Sequence, residues 1–301
     1  MSAPVQDTRT IVVTGAAGPA GRALGAQFSR HPGAGTLHVV GVDLAPAPVP
    51  GFETVEAVPA ATDPAYERAT IDLLSRHRPD LLLPTVSEEL PRLAVLAHAV
   101  GLGSTVVLSA PGPTAVAGDK LLTMWDLARH GVAVPRHMAS TDVRSASAAL
   151  DWAGGQPIVV KPRTSRGGRG VHVVEDPQDL VWDRLDGSWI VQEFAPGDEY
   201  SPQVYRSPTS GRCVVVVLQK TRLERGRVGN ATAVERVEGA DDVAALATQA
   251  VEALDLVGPL DVDVRRLVDG TPVILEINAR FGAVSAAAPE LLEAVLADWP
   301  G

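Results

Sequence analysis

Apolar residues in the first hundred positions come in short β-branched runs separated by stretches of helical period. Residues 10–43 read as strand, turn, helix, strand. TIVVT is the first strand, GAAGPAG a glycine turn, a helix continues to about Arg30, and LHVVGVD ends at Asp43. Gly15, Gly18 and Gly21 permit a tight turn and close helix–strand packing, in a G-x-x-G-x-x-G spacing that is a loose form of the dinucleotide-binding fingerprint. Asp63-Pro64 opens a helix that runs to about Arg78. LLLPT is a buried strand, SEELPRLAVLAHAVGLG the next helix and STVVLSA a further strand, before APGPTAVAGD breaks the pattern. Such alternation predicts a parallel sheet with helices on both faces. The first boundary falls near Gly112.

Beyond it the pattern changes. A helix over Lys120–His130 precedes a turn at Gly131–Pro135, and a second helix over about Val143–Ala153 is N-capped by Thr141 or Asp142. Strands follow in PIVVKP, VHVVED, SWIVQEF, EYSPQVY and RCVVVVLQK, then a helix from about Asp242 to Leu254. Many strands with few helices indicate an α+β architecture. The expected units are 1–112, 113–190 and 191–301.

The stretch GPLDVDVRRLVDGTPVILEINARFG, from Gly258 to Gly282, contains two apolar runs around Asp269-Gly270, a strong hairpin signal. A two-residue loop pairs Val268 with Thr271, places Asp263 opposite Glu276 and Asp261 opposite Asn278, and puts all four side chains on one face. Val262, Val264, Leu275 and Ile277 then line the other. Clustered carboxylates with an amide suit a hard cation, Mg²⁺ or Mn²⁺. An acidic, solvated hairpin face is the equal alternative on this stretch alone.

Composition narrows the classes. A formal charge of −10 over 301 residues argues against a nucleic-acid surface. A single cysteine, Cys213, excludes an internal disulfide framework and any Cys-rich metal site. No apolar stretch reaches membrane-spanning length, and MSAPVQDTRT lacks signal-peptide organisation, so a cytoplasmic protein is expected. Lysine occurs only at Lys120, Lys161 and Lys220 in an otherwise arginine-rich chain, which suggests a need for a compact ammonium at those places.

Two stretches carry further chemistry. Ser165-Arg166-Gly167-Gly168-Arg169-Gly170 lies between two expected strands with Lys161 four residues upstream. Glycines let backbone N–H groups approach anionic oxygens, and the basic side chains add charge-assisted bonds, so the loop reads as a phosphate cradle. It is not a Walker A loop, since no Gly-Lys-Ser/Thr follows. SWIVQEFAPGDEYS offers Gln192-Glu193 at a strand end, a Pro-Gly turn and Glu199. A strand leaving its sheet there can expose backbone groups to a purine edge, although read alone the stretch suits an edge strand and a turn better.

Taken in order, Asp119-Lys120, Lys161-Pro162 before SRGGRG, VQEF…GDEYS and a hairpin ending LEINARFG resemble the ATP-grasp superfamily, within it the carbamoyl-phosphate-synthase-like carboxylate–amine ligases. The first unit, with TVSEELPRLA, resembles the pre-ATP-grasp domain of that group. The resemblance covers nearly the whole chain. It implies a Rossmann-like α/β domain followed by a two-lobed ATP-grasp fold, with residues 113–190 as the small lobe and 191–301 as the lobe carrying the metal. It implies that Lys120 and Lys161 meet the phosphates of ATP under a lid of Ser165, Gly167, Gly168, Arg169 and Gly170. Gln192, with the backbone of Glu193 and Ala195, would meet the adenine, and Glu199 the ribose. Asp263, Glu276 and Asn278 become ligands of Mg²⁺ (or Mn²⁺). Arg280 faces the transferred phosphate or substrate carboxylate, with Lys220 and Arg222 as further candidates. Two departures stand out: relatives often carry Glu where this chain has Gln192, and Asn-Pro-Arg where it has Asn278-Ala279-Arg280.

The implied activity is ATP-dependent joining of a small carboxylic acid to an amine, or less often a thiol, through an acyl phosphate. Its partners are small-molecule carboxylate and amine substrates, and a homodimer through the N-terminal domain is expected from the resemblance alone. Two other classes are set against it. A short-chain-type NAD(P)-dependent reductase would use GAAGPAG and Asp43. It needs a Tyr-x-x-x-Lys pair, and Tyr66, Tyr200 and Tyr205 are followed four residues on by Thr70, Val204 and Thr209. A non-catalytic ATP-binding module is the third reading.

Overall fold

The structure is a computed structural model and describes residues 8–224, 227–229 and 231–300. The first unit holds β1 (Arg9–Thr14), α1 (Pro19–Phe28), β2 (Leu37–Asp43), β3 (Thr54–Ala57), α2 (Tyr66–His77), β4 (Leu81–Leu83) and α3 (Leu90–Ala99). Its four strands form a parallel sheet in the order β3-β2-β1-β4. Fully buried Ile11, Val12, Val13, Leu81, Leu82 and Leu83 explain the continuous apolar runs, since both sheet faces are covered. Gly15 turns the chain from β1 into α1 at φ +60°, and a Cβ there would strike Val86 and Thr85.

Residues 104–110 do not form the expected strand. They make one parallel bridge, Val106 to Leu82, because Leu108 N–H turns back onto the Val106 carbonyl and peels the chain away. The stretch read as a break is a helix, α4 (Pro111–Ala117). Its prolines stand in the first turn, where no intrahelical N–H bond is lost. α5 (Lys120–Arg129) follows, N-capped by Asp119, which accepts from the backbone N–H groups of Leu121 and Leu122.

The next sheet is antiparallel. It is built from β5 (His137–Ala139), β6 (Ile158–Pro162), β7 (His172–Val174) and β8 (Trp189–Glu193) in the order β5-β8-β6-β7, under α6 (Ala146–Trp152). α6 begins later than expected. Ser145 is its cap, because Asp142 is occupied with the Ala139 N–H in a preceding 3₁₀ turn.

The largest sheet contains β9 (Glu199–Tyr200), β10 (Gln203–Arg206), β11 (Cys213–Val216), β12 (Leu218–Leu223), β13 (Ala231–Arg236), β14 (Gly258–Arg266) and β15 (Pro272–Asn278), with α7 (Asp241–Ala253) and α8 (Glu290–Asp298) beside it. RCVVVVLQK divides at Val217. β11 pairs with β10, whereas β12 pairs with β13 and β9. β3 and β13 have no counterpart in the expected strands, because both are only partly buried and β3 has just four residues.

The β14–β15 hairpin keeps the expected pairs Asp261–Asn278 and Asp263–Glu276, but by another route. Leu267 N–H bonds the Thr271 carbonyl, which leaves a three-residue loop, Val268-Asp269-Gly270, with Gly270 at φ +86°. That loop shifts the register by one, so Val264 faces Ile274. An extra residue, Leu275, then bulges between Glu276 and Ile274 and shifts it back. Leu275 is therefore half-exposed rather than part of the apolar face.

The two lobes meet the N-terminal sheet through shared cores. Phe281, Leu291, Leu292, Val295 and Trp299 pack against Ile11, Val13, Leu81 and Leu83. Asp119 also ties α5 to the end of β6 through a fork with Arg163, Nη2 at 2.6 Å and Nε at 3.0 Å. Replacing Asp119 with Ala removes cap and fork together and should cost about 1–3 kcal/mol in urea unfolding. Asp119→Asn, which keeps the cap, should recover roughly half of that loss.

Candidate active site

All three lysines of the chain converge on one cavity. Lys120 begins α5, Lys161 lies on β6 and Lys220 on β12, and each is nearly buried. Lys120 Nζ stands 3.5 Å and Lys161 Nζ 3.8 Å from Glu276 Oε2. Lys161 also donates to the carbonyl of the bulged Leu275 at 3.1 Å, and Lys120 to the Ser165 carbonyl at 3.0 Å. Lys220 bridges Asp263 at 2.6 Å and Glu199 at 2.7 Å. Glu199 is held on its other side by Arg265 at 2.8 Å.

Burial works against charge throughout this cluster, and the partners decide which charges persist. Burial pulls Lys161 down to about 8, with Glu276 opposing the fall. Glu276 is pushed up by burial, but Lys120, Lys161 and Lys220 outweigh that and bring it down to about 2. Burial and the neighbouring carboxylates push Asp263 up to about 7, and the 2.6 Å contact with Lys220 opposes that rise. Burial opposes the charge on Lys220 as well, yet Asp263 and Glu199 hold its ammonium well above the ordinary lysine value.

The cavity has a volume of about 960 Å³, at the upper end of the roughly 300–1,000 Å³ of small-molecule sites. Its lining includes Ser165, Gly167, Gly168 and Arg169 of the glycine-rich loop, then Gln192, Glu193, Ala195 and Glu199, and the hairpin residues Asp263, Glu276, Asn278 and Arg280. Gly170 belongs to the same loop, with Gly167, Gly168 and Gly170 all in the left-handed region. A Cβ on Gly168 would lie 2.7 Å from Gly229 Cα, so two backbones meet there at glycines. Glu193 N–H is spent on the Arg136 carbonyl, and the Ala195 carbonyl accepts from Arg265 at 3.3 Å. Arg222 is exposed and does not line the cavity, since β12 is irregular between Lys220 and Arg222.

Sequence reasoning missed the contribution of the loop after β4. Ser87 Oγ accepts from Arg280 Nε at 3.1 Å, and Glu88 pairs with Arg166 of the glycine-rich loop at 2.9 Å. Glu89 is buried, accepting from Thr14 Oγ1 and, at 3.2 Å, from Tyr66 Oη. Arg280 does not extend β15 but stays beside it, with Nη2 on Asn278 Oδ1 at 3.1 Å and Nη1 on the Phe281 carbonyl at 2.7 Å. Asp261 turns to Ser201 and Gln203, each at 2.6 Å, and Gly282 packs so closely that a Cβ would lie 2.5 Å from Asp261 Cγ. In the glycine turn, Asp43 accepts from the N–H groups of Ala17 and Ala45.

Among the described residues no three His, Cys, Asp or Glu side chains converge as a ready metal group. The hairpin offers two carboxylates and one amide, Asp263, Glu276 and Asn278. These all-oxygen donors fit a hard divalent ion, and the lysine ammonium groups now neutralise them. No helix of the described residues is long and apolar enough to cross a membrane.

A family model described as an ATP-grasp domain matches residues 117–284. The chain is 31% identical over 152 residues to a formate-dependent phosphoribosylglycinamide formyltransferase of Parasynechococcus marenigrum (strain WH8102), a match spanning 48% of this chain and 37% of that protein. It thus spans little more than a third of that relative's length. Among solved structures it is similar to an L-amino acid ligase from Bacillus licheniformis, with TM-score 0.70, 18% identity and coverage of 98% of this chain and 73% of that one. It is also similar to a biotin carboxylase from Campylobacter jejuni, with TM-score 0.70, 15% identity and coverage of 99% and 72%.

The buried Glu89 has a measurable signature. Burial, partly offset by its bonds from Thr14 and Tyr66, raises it from the ordinary 4.5 to about 7. The folded protein thus binds this proton more tightly than the unfolded chain. The stability it contributes is fully present below about pH 4.5 and is lost as pH rises through about 7. Glu89→Gln stays neutral, so its stability relative to the unaltered protein should rise by about 2 kcal/mol between pH 5 and pH 8 in urea unfolding.

Proposed function

The chain belongs to the ATP-grasp family, and on that premise we propose that it is an ATP-dependent ligase joining a small carboxylic acid or amino acid to an amine. The observation that carries this reading is the convergence of all three lysines, the glycine-rich loop and the acidic hairpin face on one cavity. ATP and a carboxylate are both anionic, and phosphoryl transfer asks mainly for positioning and charge neutralisation. A site of lysines, arginine and hard-oxygen ligands suits that demand, with no nucleophile–base pair required.

In this mechanism Lys120 and Lys161 hold the phosphates beneath Ser165–Gly170. Gln192 faces the base, and Glu199, already oriented by Lys220 and Arg265, accepts from the ribose hydroxyls. Asp263, Glu276 and Asn278 hold Mg²⁺ (or Mn²⁺), which supplies neutralisation of the polyphosphate when bound. A carboxylate oxygen of the substrate attacks the γ-phosphorus and ADP leaves. The amine then attacks the acyl carbon of the resulting acyl phosphate, and inorganic phosphate departs. Arg280, fixed by Ser87, Asn278 and the Phe281 carbonyl, would offset the charge that accumulates on the transferred group.

The reductase reading fares worse in the geometry. Asp43, which would face the adenosine ribose of a dinucleotide, is occupied by two backbone N–H groups, and Tyr66 is committed to Glu89 with no lysine beside it.

Mg-ATP should raise the melting temperature where NADPH does not. Phosphate release should appear with particular carboxylate–amine pairs from a panel of amino acids and small acids. Glu276→Ala should lower that release by about a hundredfold or more while circular dichroism stays unchanged. Full activity in Glu276→Ala would refute the metal assignment, and no stabilisation by Mg-ATP would refute both ATP readings.

A further inference from the structure

Gln192 lies on β8 opposite Val159 of β6. Opposed residues share a sheet face, as do residues two apart on one strand, so Gln192, Val159 and Lys161 all face the cavity. Gln192 is about 7 Å from Lys161 along the sheet. It is 2% exposed, and its Nε2 has no hydrogen-bond partner among the described residues. A buried amide nitrogen left without an acceptor is costly, and a ligand oxygen or ring nitrogen placed against it removes that cost. Val159, Phe194, Ala195 and Leu275 line the same cavity and provide apolar walls for a flat base.

The Ala195 carbonyl already takes Arg265 Nη1. The guanidinium groups of Arg227 and Arg265 lie 4.5 Å and 5.4 Å from the Phe194 ring centre, adding donors and positive charge beside the same slot. If the cavity holds a purine nucleotide, as proposed above, the group at position 6 of the base meets an amide in surroundings rich in donors.

We propose that Gln192 is a specificity-determining residue that opens the base slot to 6-oxo purines as well as 6-amino purines. Its amide carries a donor and an acceptor, and a half-turn exchanges them. Nε2 donates to a 6-oxo oxygen in one orientation, and Oε1 accepts from a 6-amino group in the other. A carboxylate in the same place only accepts, so it welcomes the amino group and repels the oxo oxygen.

The test is isothermal titration of the full chain with ATP and ITP in Mg²⁺. ITP presents the 6-oxo group without the 2-amino group of guanine, so steric rejection does not confound the comparison. The unaltered protein should bind ITP within about tenfold of ATP, and Gln192→Glu should widen that ratio by about tenfold or more, chiefly by weakening ITP. Gln192→Met, which removes donor and acceptor together, should weaken both nucleotides alike and shows that the slot survives substitution. ITP binding about a hundredfold weaker than ATP in the unaltered protein overturns the proposal, as does an unchanged ratio in Gln192→Glu. Either result leaves the ATP reading intact. Failure of both nucleotides to bind refutes that reading too.

Discussion

Three lysines and three acidic side chains, largely withdrawn from water, face one another at the centre of this protein. Lys120, Lys161 and Lys220 face Glu199, Asp263 and Glu276. Each charge would be expensive to bury alone, and each is tolerated because the others are already in place. The six residues come from α5, β6, β9, β12, β14 and β15, so the arrangement of both lobes converges on one electrostatic requirement. Groups in this state have given up much of their water, so a charged ligand entering the cavity would exchange protein partners for its own at small cost in reorganisation.

The N-terminal sheet is part of this site and not an appendage. The loop after β4 sends Ser87 to Arg280, Glu88 to the glycine-rich loop and Glu89 into its own core. Three neighbouring side chains thus join three parts of the molecule. A displacement of that loop is felt at the arginine beside Asn278 and at the glycine-rich loop together.

Much of this was legible from residues alone, and what failed did so for local reasons. Alternating β-branched runs gave the parallel sheet, because strands buried on both faces have a strong apolar signal. The period of two gave the acidic face of the hairpin, and the scarcity of lysine pointed to positions that the fold brings together. α4 was hidden by its prolines, which are ordinary in a first turn, and β3 and β13 by the weak patterning of half-exposed strands. Arg222, a further candidate from the resemblance, lies outside the cavity lining because β12 is irregular between it and Lys220. Ser87, Glu88 and Glu89 were written in TVSEEL, but no local rule says that a loop will reach across to another lobe.

The hairpin carries two departures of one residue each, a three-residue turn and the bulge at Leu275. Alone, either would rotate Glu276 to the side away from Asp263, because one step along a strand reverses its facing. Together they cancel, and the bulge also frees the carbonyl that receives Lys161. The two lengths are therefore heritable only as a sum. A descendant that trims the turn must trim the bulge in the same step, and in doing so it gives up a hydrogen bond that positions a lysine more than a hundred residues away in the chain.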